Sequence, residues 1–298
     1  MYLTGFADEA ATDIDGQIRA TLKLGWENIE SRAIGGKNIH DITDEQFDTV
    51  CGKLEDAGVK VNCFGSAIAN WGKKIDEPFD SSLAEARRAI PRMQRLGTQL
   101  VRIMSFAVLK DRPPDDQMEE ERFARLRELQ KMFADAGLQV VHENCMNYGG
   151  MGWPFTLKLI ENVPGLKLVF DTGNPVFSDD RSKPEPYPKQ SAWEFYTHVR
   201  EHVAYVHVKD GVWDDQKQKN EYTFPGEGDA DVPRIIKDLL DGGYDGGISI
   251  EPHLAVVFHD ASITADEEIK YANYVEYGRR FMKLIEQAGH GEKLPSRP

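Results

Sequence analysis

The sequence predicts an α/β fold, a single (β/α)8 barrel, on three observations. Short β-prone apolar runs alternate with helix-like segments eight times in about 290 residues, the size and pattern of such a barrel. Three of the intervening helix-like segments end in Ala-Gly or Leu-Gly just before the next run, as a glycine helix stop should. No G-x-G-x-x-G follows the first run, which argues against the rival doubly wound dinucleotide-binding sheet.

Taken in order, the eight strands are read at YLTGFA, ENIES, KVNCFGS, LVRIMS, QVVHEN, LKLVFD, AYVHVK and GISIE. Their Val, Ile, Phe and Tyr content suits a buried pleated surface. Helices are predicted over DEQFDTVCGKLEDAG, SSLAEARRAIPRMQRLG, EERFARLRELQKMFADAG and the final ADEEIKYANYVEYGRRFMKLIEQAG. Asp44 and Asp231 stand where helix N-caps are wanted. There is no linker, low-complexity tract or second domain in the pattern, so residues 1–290 form the barrel and residues 291–298 a loose C-terminal tail.

Four of the strands end on a residue type that binds metals: Glu143, Asp171, His207 and Glu251. Each lies far enough from the next for a strand–helix–strand crossover, which takes more than about a dozen residues. One such acid, followed by Thr172 and Gly173, reads equally well as a turn residue bonding its own backbone. Four in succession, on strands five to eight, do not. Active sites of these barrels lie at the carboxyl ends of the strands, so the four can converge. Three packed carboxylates would repel one another unless a cation sat among them. Three oxygen donors and an imidazole suit one divalent ion, Mn²⁺ or Mg²⁺ foremost, with Zn²⁺ or Co²⁺ as alternatives.

Composition narrows the partners. The net charge of −14 lacks the basic surface that nucleic acid requires, and no apolar segment is long enough to span a membrane. MYLTGFADEA places Asp8 and Glu9 where an export signal would be apolar. Cys51, Cys63 and Cys145 form neither a disulfide framework nor a thiolate zinc motif, so a reducing, cytoplasmic setting is expected.

The stretches TGFADE, HEN, FDTGN, YVHVKD, PGEGDADVP and GGISIEPH carry a resemblance over nearly the whole chain. Together they are similar to the sugar phosphate isomerase/epimerase superfamily of xylose-isomerase-like TIM barrels. The resemblance implies a divalent metal held by Glu143, Asp171, His207 and Glu251, with Glu143 and Glu251 also moving protons on opposite faces of a sugar. A carbon acid beside a carbonyl ionises readily once a cation stabilises the enediolate, and neighbouring carboxylates serve as base and acid.

The chain departs from the free-ketose 3-epimerases of that superfamily at two places. Asn174 stands where they carry a histidine, and Trp213 where they carry an arginine. The HVKD form is shared with members acting on inositol ketones and 3-keto-glycosides. The expected function is therefore a metal-dependent isomerase or epimerase of a sugar, keto-sugar or sugar phosphate. The alternatives are a lyase or dehydratase acting on a 3-keto-glycoside or inositol ketone at the same site, and a non-catalytic sugar-binding barrel. A multi-zinc nuclease of the same fold would need more histidines and a basic face.

Further substrate contacts are assigned to Lys209 and His253, which share strand parity with His207 and Glu251, and to Asn174. Glu30 and Arg32 end the second strand and either bind substrate or pair with each other. Trp153 is a candidate stacking platform, with Trp71 and Trp213 as competitors. His142 should point away from the site, Cys145 is expected to be inert, and Glu227 either shapes the site mouth or is a plain turn residue. The proline-rich stretch TGNPVFSDDRSKPEPYPKQS is long for a βα connection and is predicted to be a semi-rigid lid or a subunit contact in a homo-oligomer.

Overall fold

A computed structural model describes residues 1–256 and 265–295. The eight expected strands are all present: β1 Tyr2–Gly5, β2 Asn28–Ser31, β3 Lys60–Gly65, β4 Leu100–Ile103, β5 Gln139–Glu143, β6 Lys167–Asp171, β7 Val203–Val208 and β8 Gly247–Ile250. They pair in parallel from β2 through β8, and β8 pairs with β1, Tyr2 opposite Gly247. Only the β1–β2 seam lacks a ladder; it is joined by a single bridge between Phe6 and Glu30, so the barrel is nearly closed.

Among the described residues, eight helices cover the outside: α1 Ile14–Lys23, α2 Asp44–Ala57, α3 Asp80–Leu96, α4 Glu119–Asp135, α5 Trp153–Asn162, α6 Ala192–Val199, α7 Val232–Asp241 and α8 Glu267–Gln287. The expected glycine stops adopt the left-handed backbone they were chosen for, at Gly58 (φ 66°), Gly97 (φ 69°) and Gly137 (φ 77°). The expected caps are corrected. Thr43, not Asp44, caps α2: its hydroxyl accepts from Gln46 N at 3.2 Å while Gln46 Oε1 accepts from Thr43 N at 2.9 Å. Asp44 instead accepts from Arg92. Asp231 precedes α7 in a left-handed conformation, φ 52°, and its side chain accepts no capping bond.

Side-chain alternation along the strands stacks the barrel interior in layers. Cys63, Val141, Val169 and Tyr205 form a compact buried cluster at one level. Two residues further along β5, β6 and β7 come Glu143, Asp171 and His207, so period-two geometry lifts the polar set directly above an apolar floor. Two antiparallel hairpins, Ala33–Ile34 with Lys37–Asn38 and Asp210–Asp214 with Lys219–Thr223, rise beyond the ends of β2 and β7.

The long segment after β6 forms one side of the central cavity. It begins with a short helix, Asn174–Phe177, and Asn174, Phe177 and Ser178 line the central cavity. The proline-rich remainder doubles back on itself: Asp180 N donates to Pro188 O and Arg181 N to Met151 O. Gly291–Lys293 forms a 3₁₀ turn after α8, and the last three residues of the predicted tail lie outside the described residues.

Candidate active site

Glu143, Asp171, His207 and Glu251 meet at the carboxyl ends of β5 to β8, as barrel topology requires. One ligand atom from each lies within 4.8 Å of the other three, and all four residues are buried. A cavity of about 170 Å³ opens beside them, lined also by Arg32, Arg102, Asn174, Lys209, Tyr222 and His253.

His207 is fixed from below. Its Nε2 lies 3.1 and 3.0 Å from the two oxygens of Glu30, and Tyr205 donates to the same carboxylate at 2.9 Å. Tyr205 in turn accepts from Asn62. A carboxylate holding one ring nitrogen leaves the other aimed at the site, the arrangement that orients a histidine ligand. That other nitrogen, Nδ1, is buried without a hydrogen bond, 3.5 Å from Glu143 Oε1 and 4.0 Å from Asp171 Oδ2. Burial alone would lower the His207 pKa, but Glu30 and Glu143 overcome it and raise it to about 10.

The carboxylates are set apart by their partners. Glu143 accepts from Arg102 at 2.6 Å and from Asn174 at 3.2 Å. Burial would raise its pKa, yet Arg102 and His207 hold it well below the usual carboxylate range. Glu251 accepts from Arg32 at 3.0 Å and from Lys209 at 2.8 Å; against its burial, Lys209, His253 and Arg32 likewise keep it ionised. Asp171 is different. Burial pushes it up to about 7, with Lys209 opposing and the neighbouring glutamates adding to the rise. Its Oδ1 accepts from Asn174 N at 2.7 Å. Its Oδ2 is 3.0 Å from the Lys209 ammonium but out of line for a hydrogen bond, so charge attraction operates there without a directed bond.

These residues fit a divalent cation. His207 Nδ1 and Asp171 Oδ2 are buried without hydrogen bonds and face one point, where a cation that displaces the imidazole proton would find a nitrogen and an oxygen ligand. Around it, Asp8, Glu9, Glu30, Glu143, Asp171 and Glu251 supply six carboxylates, against the cations Arg32, Arg102, Lys209 and a protonated His207. That leaves a buried excess of acid, which a divalent ion relieves.

The structure separates the remaining sequence-predicted residues. Asn174, Lys209, His253 and Arg32 line the cavity. Lys209 lies tight against Gly173, where an added Cβ would come within 2.8 Å of the lysine Cγ. Glu30 sits beneath the cavity and faces His207, while Arg32 binds Asp8, Glu9 and Glu251, so the pair expected between them is replaced by separate partners. Trp153 is displaced from the role assigned to it. It begins α5, and its ring stacks on His198 at 3.8 Å. Trp213 lies under the Lys189 ammonium, and Trp71 is the tryptophan that lines the cavity.

His142 points to Ser105, 3.0 Å away, as expected. Cys145 lines the cavity, but burial pushes its thiol up and away from thiolate chemistry. Glu227 binds Arg280 at the surface. The PGEGDADVP loop is instead gathered by buried Asp210, which accepts from Gly226 N at 2.7 Å and Ala230 N at 3.1 Å.

Sequence reasoning missed Arg102, Asp8, Glu9 and Tyr222. Arg102 had a usable signal: a charge inside the apolar run LVRIM must find a buried partner. Tyr222, on a hairpin tip strand and 5.0 Å from the His253 ring, had none.

Fold and site together define a (β/α)8 barrel with an enzyme-type polar centre at its strand ends. The chain belongs to the xylose isomerase-like TIM barrel family, whose model matches residues 18–273. It is 28% identical over 177 residues to an inosose dehydratase from Clostridium botulinum, a match covering 53% of this chain and 51% of that protein. The matched region thus spans about half the length of that curated relative. Among solved structures, a xylose isomerase-like barrel protein from Mycobacterium smegmatis in complex with magnesium superposes with a TM-score of 0.68 at 16% identity, covering 97% of both chains. A D-allulose 3-epimerase from a Methylomonas species, in complex with D-allulose, gives 0.63 at 14% identity, over 94% of this chain and 96% of that one. Among the described residues no helix is long and apolar enough to cross a membrane.

Proposed function

We propose that this chain is a divalent-metal-dependent isomerase or epimerase that removes a proton from the carbon next to the carbonyl of a sugar or keto-sugar. The observation that carries the reading is the convergence of Glu143, Asp171, His207 and Glu251 within 4.8 Å beside the cavity. These four would hold one ion, Mn²⁺ or Mg²⁺ by the hardness of the donor set. When bound, the ion supplies Lewis-acid stabilisation of the charge that develops on the carbonyl oxygen.

The chain's own residues do the rest. Glu143 and Glu251 come from strands three positions apart around the barrel, so a flat substrate between them meets one carboxylate from each side. Arg102 keeps Glu143 ionised, and Lys209 with Arg32 does the same for Glu251, so either can accept a proton. Return of the proton by the opposite glutamate inverts the carbon; return to the neighbouring carbon moves the carbonyl. Lys209, Asn174 and His253 present donors to the substrate oxygens. The solved epimerase binding D-allulose supports a carbohydrate of this size.

A second reading, lyase chemistry, is favoured by two observations: the named activity of the curated relative, a dehydratase, and the position of His253. Its Nε2 lies 3.6 Å from Glu251, and its Nδ1 is 2.9 Å from Glu9, so the ring can pass a proton to a departing hydroxyl. One experiment separates the readings. Metal-loaded protein is incubated in D₂O with a panel of ketoses, sugar phosphates, inositol ketones and 3-keto-glycosides. Deuterium beside the carbonyl with inverted or migrated functionality supports the first reading, and loss of a substituent the second. Neither exchange nor loss of a substituent with any member overturns both.

A further inference from the structure

The cavity beside the four strand-end residues does not stand alone. A second groove of about 450 Å³ adjoins it, and the two share Trp71, Met146 and Phe177 in their walls. The inner cavity, about 170 Å³, is ringed by charge and suits a single hydroxylated ring. It falls below the range of about 300–1,000 Å³ usual for sites that take larger ligands. The outer groove adds that room and differs in chemistry. Trp71, Val108, Met146 and Phe177 give it apolar walls, and Lys110 and Arg181 stand among its charged lining residues. Met146 is 46% exposed, one of only three large apolar side chains so exposed among the described residues. The other two, Leu22 and Ile269, lie on α1 and α8. An exposed methionine beside an indole and a phenyl ring is a surface adapted to a flat apolar ligand.

We infer that the outer groove is a second subsite, and that the substrate is a keto-sugar carrying an aromatic substituent, an aryl keto-glycoside type of molecule, with its sugar ring in the inner cavity and its aromatic ring between Trp71, Met146 and Phe177. The inference rests on the carbohydrate reading above but adds to it a specificity surface. The two chambers adjoin at Trp71, Met146 and Phe177, so a substituent on a sugar placed against Glu143 and Glu251 has the groove as its neighbour. A free monosaccharide would leave the groove unfilled.

The test is a binding measurement that needs no turnover. Phenyl and methyl β-glucoside are titrated into metal-loaded protein, with tryptophan fluorescence for affinity and saturation-transfer NMR for contact. The phenyl glucoside should bind at least about tenfold tighter, the scale of partly burying one ring, and its aromatic protons should receive the strongest transfer. Val108→Glu, which places a charge in the outer groove only, should erase the preference while leaving the methyl glucoside affinity within about twofold. Trp71→Leu should also reduce the phenyl preference. Equal affinities, binding of neither glucoside, or a preference that survives both substitutions overturns the subsite. Proton exchange on free ketoses without any aryl preference would sink the subsite alone. Aryl preference without exchange on any ketone would sink the proposed chemistry and leave the subsite standing.

Discussion

Arg102→Met is the perturbation that probes the electrostatic design most sharply. Arg102 is buried on β4, donates to Glu143 at 2.6 Å and to Ser66 O at 3.0 Å, and lies over the Phe6 ring. Methionine fills much of its volume without the charge. Glu143 then has two options in the metal-free protein: to remain buried without its strongest cation, or to take up a proton. Protonating a carboxyl of ordinary pKa near 4.3 at pH 7 costs about 4 kcal/mol, at 1.36 kcal/mol per unit, which caps the loss. Breaking a buried ion pair by removing one partner falls in the same range, about 3–5 kcal/mol. With an unfolding entropy of about 2.1 cal/mol/K per residue over 298 residues, 4 kcal/mol lowers the melting temperature by about 6 °C.

The sign with pH follows. In the native protein Glu143 has a depressed pKa, so its contribution is full above the unfolded value and lost as pH falls. In the variant the buried Glu143 carboxyl takes up a proton instead, and the cost of that uptake falls as pH approaches the ordinary value of about 4.3, so the gap between the two proteins should narrow from pH 7 toward pH 4. A saturating divalent ion restores a positive partner to Glu143, so the gap at pH 7 should shrink by about half or more when Mn²⁺ is present. The assay is differential scanning calorimetry of both proteins, with chelator or with Mn²⁺, at pH 7 and at pH 5. A metal-free variant melting within about 1 °C of the parent, or a gap that Mn²⁺ leaves untouched, would refute the reasoning.

Two further outcomes are expected. Glu251→Gln should slow deuterium exchange at the substrate carbon by about a hundredfold or more, the scale of losing a general base, with metal occupancy measured in parallel to separate lost chemistry from lost ion. His40 is buried with neither ring nitrogen hydrogen-bonded, and burial lowers its pKa to about 4. A depressed histidine costs stability as pH falls from its unfolded value near 6.5 to about 4, here up to about 3 kcal/mol, so His40→Leu should flatten denaturant-measured stability across that window. An unchanged slope would exclude His40 as its source.

Much of this was legible in the sequence for physical reasons. Period-two alternation puts Glu143, Asp171, His207 and Glu251 at or within one residue of the ends of β5 to β8, and parallel topology brings such ends together whatever the loops do. Lys209 and His253 followed from the same parity. What the sequence hides depends on side chains meeting across the barrel. Glu30 was placed near the site, but its bond to His207 spans 177 positions and has no local sign. Asp8 and Glu9 read as simple acids until Arg32 reaches them. Trp153 misled because a ring soon after a strand can as easily start the next helix and pack outward on His198. The segment after β6 was legible as unusually long, but its backbone bonds to itself and to Met151 join residues with no local sign of meeting.

The proposed chemistry requires one cation held by Glu143, Asp171, His207 and Glu251, and elemental analysis tests for it directly. Protein freed of metal and then dialysed against excess Mn²⁺ should retain about one ion per chain, and that ion should raise the melting temperature by linkage to the folded state. Asp171→Ala and Glu143→Ala should each abolish retention, while both proteins keep the circular dichroism of the parent. Retention of no ion by the parent, with no Mn²⁺-dependent shift in melting, would contradict the account.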